Sequence, residues 1–166
     1  IDSVQRIDET FDPLARGTIG EMRTLPGSRN VIPGRIEMTV DLRHEDESVL
    51  DDMHAHLHDL IHSLQEDFPE HKINLQDFWY SPPTPFDENL VQAVRKSADL
   101  NDYAHMDIVS GAGHDAIYLA RVAPTAMIFI PCRDGISHNE IEHAEPEHIT
   151  AGGNVLLNAA LEASTQ

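Results

Sequence analysis

Strict alternation of apolar and polar residues over nine positions constrains the fold of this chain more than any other feature. In "RIEMTVDLR", residues 35–43, every second side chain is apolar, and the apolar positions are Ile36, Met38, Val40 and Leu42. This period of two is typical of a strand that has one face on a core and the other in solvent. A half-buried antiparallel strand is therefore predicted here.

The neighbouring segments predict helices and strands that would pack with this strand. Residues 3–16 carry apolar side chains at helical spacing, and Pro13 is predicted to end that helix early. "GTIGEMRTLPGSRN" (17–30) predicts a strand followed by a Pro-Gly turn. Residues 47–65 show a full amphipathic helix stripe, and "KINLQDFWY" (72–80) predicts a further strand. Together these elements predict an α+β sandwich with helices on one face of the sheet.

A proline-rich break, "SPPTPFDEN" (81–89), divides the chain, and we place a domain boundary between residues 81 and 82. Beyond it the pattern predicts helices over residues 87–100, 116–121 and 146–163. The continuously apolar "PTAMIFIP" (124–131) is typical of a strand buried on both faces, which favours a parallel or mixed α/β sheet. Too few such strands are present to complete that sheet, so this half is predicted to be the end of a larger domain.

Charge and cysteine content exclude several functions. Eleven basic against 29 acidic residues give a formal net charge of -18, which opposes binding to nucleic acid or to an acidic membrane surface. No apolar run reaches the roughly 18 residues of a membrane span. The single cysteine, Cys132, excludes an internal disulfide, is expected to be a buried inert thiol, and favours a reducing, cytoplasmic location. The chain begins with Ile1 and has no signal region, which suggests a processed or truncated chain.

Three histidines at intervals of four residues, His54, His58 and His62, share one helix face and could chelate a metal. The same face is rich in acidic residues and lies opposite the apolar stripe, as an ordinary solvated face does. Spacing alone is a weak motif, so we favour the solvated face.

Two further segments each leave a choice open. In "SGAGHDA" (110–116), the two glycines could let the backbone approach an anionic ligand group, or could serve only a tight turn with positive φ. Arg43 ends the polar face of its strand, where a guanidinium can grip a carboxylate with two hydrogen bonds or simply pair with Glu45 or Asp46. For the glycines the residues alone do not decide, whereas for Arg43 they favour the ordinary surface pairing.

His138 follows a predicted strand end, and α/β domains bind ligands at the carboxyl ends of their strands. An imidazole at this place is a candidate zinc ligand, with Glu140 or Glu142 available to hold its second N–H. The alternative is an ordinary histidine of a polar loop, which a single histidine normally is.

Three motifs in the same order and spacing, "RNVIPGRIEMTVDLR", "SGAGHDA" and "FIPCRDGISHNEIEH", resemble the metal-dependent amidohydrolases of the M20 superfamily. The resemblance is to the hydantoinase/carbamoylase branch, which includes N-carbamoyl-L-amino-acid hydrolases, β-ureidopropionases and allantoate amidohydrolases. It extends from about Thr18 to Leu161.

The resemblance implies an α/β zinc-peptidase-like catalytic domain and a smaller inserted α+β lid domain that mediates dimerisation. Residues 1–81 would be the second half of the lid, and residues 82–166 the C-terminal segment of the catalytic domain. His138 is implied as a metal ligand. The residues implied in substrate binding, with the arginine on the substrate carboxylate, are Asn30, Arg43, Gly111, Ala112 and Gly113.

The implied cofactor is a pair of divalent metals, usually zinc and sometimes manganese, nickel or cobalt, of which this chain holds one ligand. The family's other ligands and its general base lie in motifs missing here, so no catalytic residue is expected in these 166 residues, which alone should be inactive. The parent protein is expected to cleave a C–N bond of a small N-carbamoyl or ureido carboxylate and to form a homodimer through its lid. An M20 aminoacylase or peptidase is one alternative, and a non-catalytic dimerisation module is another.

Overall fold

The computed structural model of the chain describes residues 2–11 and 14–165, so Pro13, predicted to end the first helix, lies outside the described residues. Contacts divide the chain into two compact units, residues 1–83 and residues 84–166. In chain order the elements are α1 (Asp2–Thr10), β1 (Arg16–Leu25), β2 (Arg35–Arg43), α2 (Glu47–Asp67), α3 (Glu88–Leu100), α4 (Ala116–Ala120), a 3-10 turn (Arg133–Gly135) and α5 (Pro146–Ala163).

In the first unit β1 and β2 form an antiparallel hairpin, which confirms the strand predicted from the alternating pattern. The register places Arg16 opposite Arg43 at one end and Leu25 opposite Arg35 at the other, where the connecting loop begins. Each residue of a strand advances the chain by about 3.3 Å, so the hairpin separates its two ends by on the order of 25 Å.

Burial of the hairpin is confined to one end. Val40 and Leu42 are half-buried, whereas Ile36 and Met38 on the same face expose 55% and 45% of their surface. The buried cluster of α1 and α2 contacts Val40 and Leu42. The half-burial predicted for the whole strand is therefore found only in its second half.

The core of the first unit joins α1, the hairpin and α2. Ile7 and Met53 are fully buried, and Leu57 lies one turn beyond Met53 on the same helix face. Burying an apolar side chain of this size contributes about 1.5–3 kcal/mol. The cluster therefore fixes which face of α2 points to the hairpin. The opposite face, which carries the helix histidines, is left outside the core.

Helix α2 begins at the predicted residue and ends two residues later than predicted, at Asp67. Asp46 is its N-cap, because Oδ1 of this side chain accepts hydrogen bonds from the Ser48 backbone N–H at 2.8 Å and from Ser48 Oγ at 2.6 Å. A carboxylate at this position satisfies a free N–H group and also lies favourably at the positive end of the helix dipole.

The second unit is built on α3 and α5, whose bounds were predicted to within one residue. Small residues line their contact: Ala93, Ala98 and Ala159 are buried. At Gly152 an added Cβ would lie only 2.6 Å from Cγ2 of Ile130, so the backbone of α5 approaches the 126–130 segment too closely for a side chain there. Short side chains thus allow close packing of these elements.

Two predicted strands are absent from the described residues, where β1 and β2 make the one sheet. Residues 72–80 run without a strand partner, and Phe78 and Trp79 are exposed. Residues 126–128 and Ile130 are half-buried rather than buried on both faces, and Phe129 is exposed over 43% of its surface. A strand exists only as part of a hydrogen-bonded ladder, and no neighbouring strand is supplied here. The chain is mixed α/β as predicted, but the described part is not a strand-rich sandwich.

Candidate functional site

Arg43 lies at the end of β2 and presents its guanidinium to Asp41, two residues earlier on the same strand face. Nε contacts Asp41 Oδ1 at 2.7 Å and Nη2 contacts Asp41 Oδ2 at 3.0 Å. The hydrogen bond with Asp41 raises the pKa of Arg43 above its ordinary value. Asp41 is thus an acidic partner of Arg43 other than the two named for an ordinary surface arginine, Glu45 and Asp46. The two-point geometry is the one that a guanidinium uses to recognise any carboxylate.

Asn30 lies in the loop that joins β1 to β2. Its Oδ1 accepts a hydrogen bond from Ser28 Oγ at 2.8 Å, and its side chain is exposed. The loop closes at the end of the hairpin where Leu25 pairs with Arg35, whereas Arg43 lies at the opposite end. The register thus separates Asn30 from Arg43, although both are implied in substrate binding.

The "SGAGHDA" segment forms the loop that leads into α4. Ser110 Oγ lies 2.8 Å from His114 Nε2 and accepts a hydrogen bond from the Ala112 backbone N–H at 3.2 Å. Neither Gly111 nor Gly113 has a positive φ, and a Cβ at either position would meet nothing within 4 Å. The tight turn with positive φ is therefore excluded as the reason for these glycines, while an approach by a group outside the described chain is compatible with them.

His138 follows the 3-10 turn and adopts a left-handed backbone conformation, with φ at 56°. Its backbone N–H donates to Glu142 Oε2 at 3.1 Å, so Glu142 holds the main chain of this residue. Asp102 and Asp134 share this conformation, which histidine and aspartate adopt more often than most residues do. Glu142 also contacts Cys132, whose free thiol is half-buried rather than fully buried as expected.

His138 offers one imidazole, and two divalent metals need a larger set of ligands. Among the described residues, a group of three metal-ligating side chains forms at His54, His58 and Asp77, and His138 is not part of it. The described residues therefore do not by themselves hold the metal pair that the resemblance implies.

The cluster on α2 differs from the predicted one. His54 and His58 are exposed, as expected for a solvated face, but they converge on Asp77, which sequence reasoning did not include. His62 instead lies 3.7 Å from Glu66. Spacing along the helix signals the histidine pair, whereas Asp77 comes from a segment that returns to the helix 23 residues after His54. No local pattern reveals that return.

None of the described helices has the length and apolarity needed to cross a lipid bilayer.

A family model and several known proteins match most of this chain. Residues 7–162 match the model of the peptidase family M20/M25/M40. The chain is 41% identical over 162 residues to an N-carbamoyl-L-amino-acid amidohydrolase of Rhizobium meliloti, covering 98% of this chain and 39% of that protein. It is 35% identical over 155 residues to an allantoate amidohydrolase of Bacillus subtilis (strain 168), covering 92% of this chain and 37% of that protein.

Solved structures give the same result. A hydantoinase/carbamoylase family amidase from Burkholderia multivorans superposes with a TM-score of 0.90 at 52% identity, covering 98% of this chain and 39% of that chain. The chain thus spans about two-fifths of the length of the relatives it matches.

Proposed function

Because the chain belongs to the peptidase family M20/M25/M40, we propose that it is part of a metal-dependent hydrolase that cleaves a C–N bond of an N-carbamoyl or ureido amino-acid-like substrate. The names of its relatives, an N-carbamoyl-L-amino-acid amidohydrolase and an allantoate amidohydrolase, support this reaction class. The observation that carries the proposal is the two-point contact of Arg43 with the Asp41 carboxylate. It supports a carboxylate-bearing substrate.

In this proposal Arg43 exchanges its contact with Asp41 for the carboxylate of the substrate. Asp41 then acts as a stand-in that keeps the guanidinium extended and oriented while no substrate is bound. A side chain that is already held in its binding geometry loses less conformational entropy when the substrate arrives. Asn30, at the other end of the hairpin, would contact a different part of the substrate, or the substrate of a second subunit.

The glycines at 111 and 113 are proposed to line the substrate site, where the lack of side chains lets substrate lie against the backbone. Ala112 between them is proposed to contribute its small side chain and backbone to the same lining. His138 is proposed to supply one metal ligand, with zinc as the expected metal. The remaining ligands and the general base would come from the part of such an enzyme that this chain does not span, so the 166 residues alone are expected to be inactive.

We assign residues 1–81 to the second half of a lid domain and residues 82–166 to the C-terminal segment of a catalytic domain. The observed units, residues 1–83 and 84–166, support a division at this place. The lid is proposed to mediate homodimerisation, and the protein is proposed to be cytoplasmic. Closure of a lid onto a catalytic domain would bring substrate-binding side chains to the reacting group.

The test is a substrate panel on the full-length protein that contains this chain. N-carbamoyl-L-amino acids, allantoate and N-acetyl-L-amino acids are compared at saturating zinc, with release of ammonia and of free amine measured separately. Hydrolysis of a carbamoyl group gives ammonia, carbon dioxide and the free amine, so the proposal requires ammonia release from one of the first two substrates. Amine release from the acetyl compounds alone would make the protein an aminoacylase or peptidase. Inactivity on every substrate would favour a non-catalytic dimerisation module.

A further inference from the structure

We propose that His54, His58 and Asp77 form a zinc-binding site on the exposed face of α2. The site uses none of the residues assigned above to the substrate or to the metal pair. It therefore stands independently of the proposed hydrolase activity.

The backbone brings these three side chains together. His54 and His58 are one helical turn apart, which puts them on the same face of α2. The 72–80 segment that carries Asp77 runs back along the helix and is tied to it at both ends. Gln65 Oε1 accepts from the Ile73 backbone N–H at 2.9 Å, and the Tyr80 hydroxyl donates to Glu47 Oε1 at 2.6 Å.

The distances between the donor atoms are close to those around a tetrahedral zinc ion. Zinc binds histidine nitrogen and carboxylate oxygen at about 2.0–2.2 Å, so ligand atoms at the corners of a tetrahedron lie about 3.3–3.5 Å apart. The two Nε2 atoms are 3.3 Å apart. His54 Nε2 lies 3.0 Å from Asp77 Oδ1 and His58 Nε2 lies 3.9 Å from Asp77 Oδ2. The last two distances end on different carboxylate oxygens, so Asp77 would rotate to bring one oxygen to about 3.5 Å from both nitrogens. One ligand atom from each of the three residues already lies within 4.8 Å of the other two.

Hydrogen bonds satisfy these three side chains less completely than a metal ion would. A neutral imidazole has one N–H donor and one acceptor nitrogen, and a carboxylate can only accept. If His54 donates from Nε2 to Asp77, the same N–H cannot also be directed at His58. If His58 donates to His54 instead, the lone pair of His54 faces the carboxylate oxygen. One divalent cation accepts electron pairs from all three atoms at once.

The surroundings allow a cation to enter and remain. The His54, His58 and Asp77 side chains are 47%, 50% and 63% exposed, so water can complete the coordination. The chain has a formal net charge of -18, which raises the local concentration of cations around it. Imidazole and carboxylate ligands suit zinc as well as other late first-row metals. Zinc is proposed because it accepts both ligand types and completes a four-coordinate site with water.

The test is calorimetric titration of the 166-residue chain with Zn²⁺ alone, for the wild type and for three single variants. His54→Ala and Asp77→Asn each remove one ligand. His62→Ala removes a histidine of the same helix that lies outside the site and is the matched control. Loss of groups that only support a metal ligand weakens affinity about 10- to 100-fold, so loss of a ligand itself should weaken Zn²⁺ binding at least about tenfold. The control should bind as the wild type does.

An NMR titration of the wild-type chain gives a readout that needs no variant. Addition of Zn²⁺ should shift the ring resonances of His54 and His58 and leave those of His62 unchanged. Equal Zn²⁺ affinity in His54→Ala, Asp77→Asn and His62→Ala would overturn the proposal, as would a titration in which the His54 and His58 rings do not respond.

Discussion

Arg43 and Asp41 lie two residues apart on one strand and meet through two parallel contacts, from Nε to Oδ1 at 2.7 Å and from Nη2 to Oδ2 at 3.0 Å. A lysine at the same position would keep the positive charge but lose the fork that makes both contacts. The pair therefore gives a direct way to separate the charge of residue 43 from its geometry.

In the full-length enzyme, Arg43→Lys should lower kcat/KM for carboxylate substrates. The loss of a charge-assisted pair of hydrogen bonds costs about 2–3 kcal/mol, which corresponds to roughly a 30- to 160-fold decrease. The same substitution should have little effect on a substrate whose carboxylate has been converted to an amide. Steady-state kinetics on the two substrates checks this, and an equal decrease for both would assign Arg43 to the structure of the hairpin alone.

His138→Asn in the full-length enzyme should remove one metal ion of the pair and most of kcat. Asparagine tolerates the left-handed backbone found at this position, with φ at 56°, so the loop keeps its shape while the imidazole is lost. Metal content measured by mass spectrometry, together with kcat, tests the assignment. His148→Asn, in α5, is the control that should keep both, and normal metal content in His138→Asn would refute the role.

The isolated 166-residue chain should self-associate through its hairpin. Met22 and Met38 are directly opposite each other, and each exposes 45% of its surface. Ile36, on the same face, is also exposed, and an apolar strand surface of this kind favours pairing with a second copy. Sedimentation velocity over a range of concentrations should show an equilibrium that Met22→Lys with Met38→Lys shifts towards monomer. A strict monomer at high concentration would argue against a dimerising lid.

Gly152→Ala and Gly153→Ala should differ in stability although the residues are adjacent in α5. Both substitutions gain about the same helix propensity, up to roughly 1 kcal/mol. A Cβ at Gly152 meets Ile130 Cγ2 at 2.6 Å, whereas at Gly153 it meets nothing within 4 Å. Overpacking typically costs about 1–3 kcal/mol, so urea unfolding should show Gly152→Ala less stable than Gly153→Ala by that amount. Equal stability would mean that the 126–130 segment moves away without cost.

Acid should weaken the contact that Arg95 makes between α3 and the segment that follows this helix. Hydrogen bonds from Arg95 lower the pKa of Asp107 below its ordinary 3.8 and that of Glu88 below its ordinary 4.5. Because both folded pKa values are lowered, this stabilisation is present above the ordinary values and is lost as the pH falls through the folded ones. Unfolding free energy measured from pH 7 down to about pH 3 should therefore fall less steeply in Arg95→Gln than in the wild type.

Lys96→Gln is the control for that measurement. It removes a positive charge from the same helix, but Lys96 contacts Glu162 at 2.8 Å and not the two carboxylates. We expect the unfolding free energy of Lys96→Gln to fall with pH as steeply as that of the wild type, and that of Arg95→Gln to fall less steeply. Identical slopes in the wild type and Arg95→Gln would show that the Arg95 contacts contribute nothing in solution.

Local patterns in the sequence predicted the helices well, because the periodicity and the ends of a helix are encoded within the helix itself. Pro146 starts α5 and Asp87 caps α3, and both act on adjacent backbone groups. The strand predicted within residues 124–131 does not form among the described residues. An apolar composition makes a strand only when another strand pairs with it, and the described residues supply none.

For a related reason, some contacts of the candidate site could be predicted from the sequence and others could not. Asp41 could have been found as the partner of Arg43, because residues two apart on a strand share a face. Asp77 could not, since its approach to His54 depends on the path of the chain after α2. Contacts between residues on one face of a helix or strand can be predicted from their spacing in the sequence. Contacts that depend on where a loop returns cannot.

The register that places Arg16 directly opposite Arg43 also affects how an anionic substrate would reach this chain. A formal net charge of -18 repels a carboxylate at long range, while two guanidinium groups at one end of the hairpin attract it at short range. Salt screens the long-range repulsion of the whole molecule more effectively than a contact between touching ions. Raising the ionic strength should therefore speed the encounter with an anionic substrate, which is the opposite of the behaviour of a protein that steers its ligand by net charge.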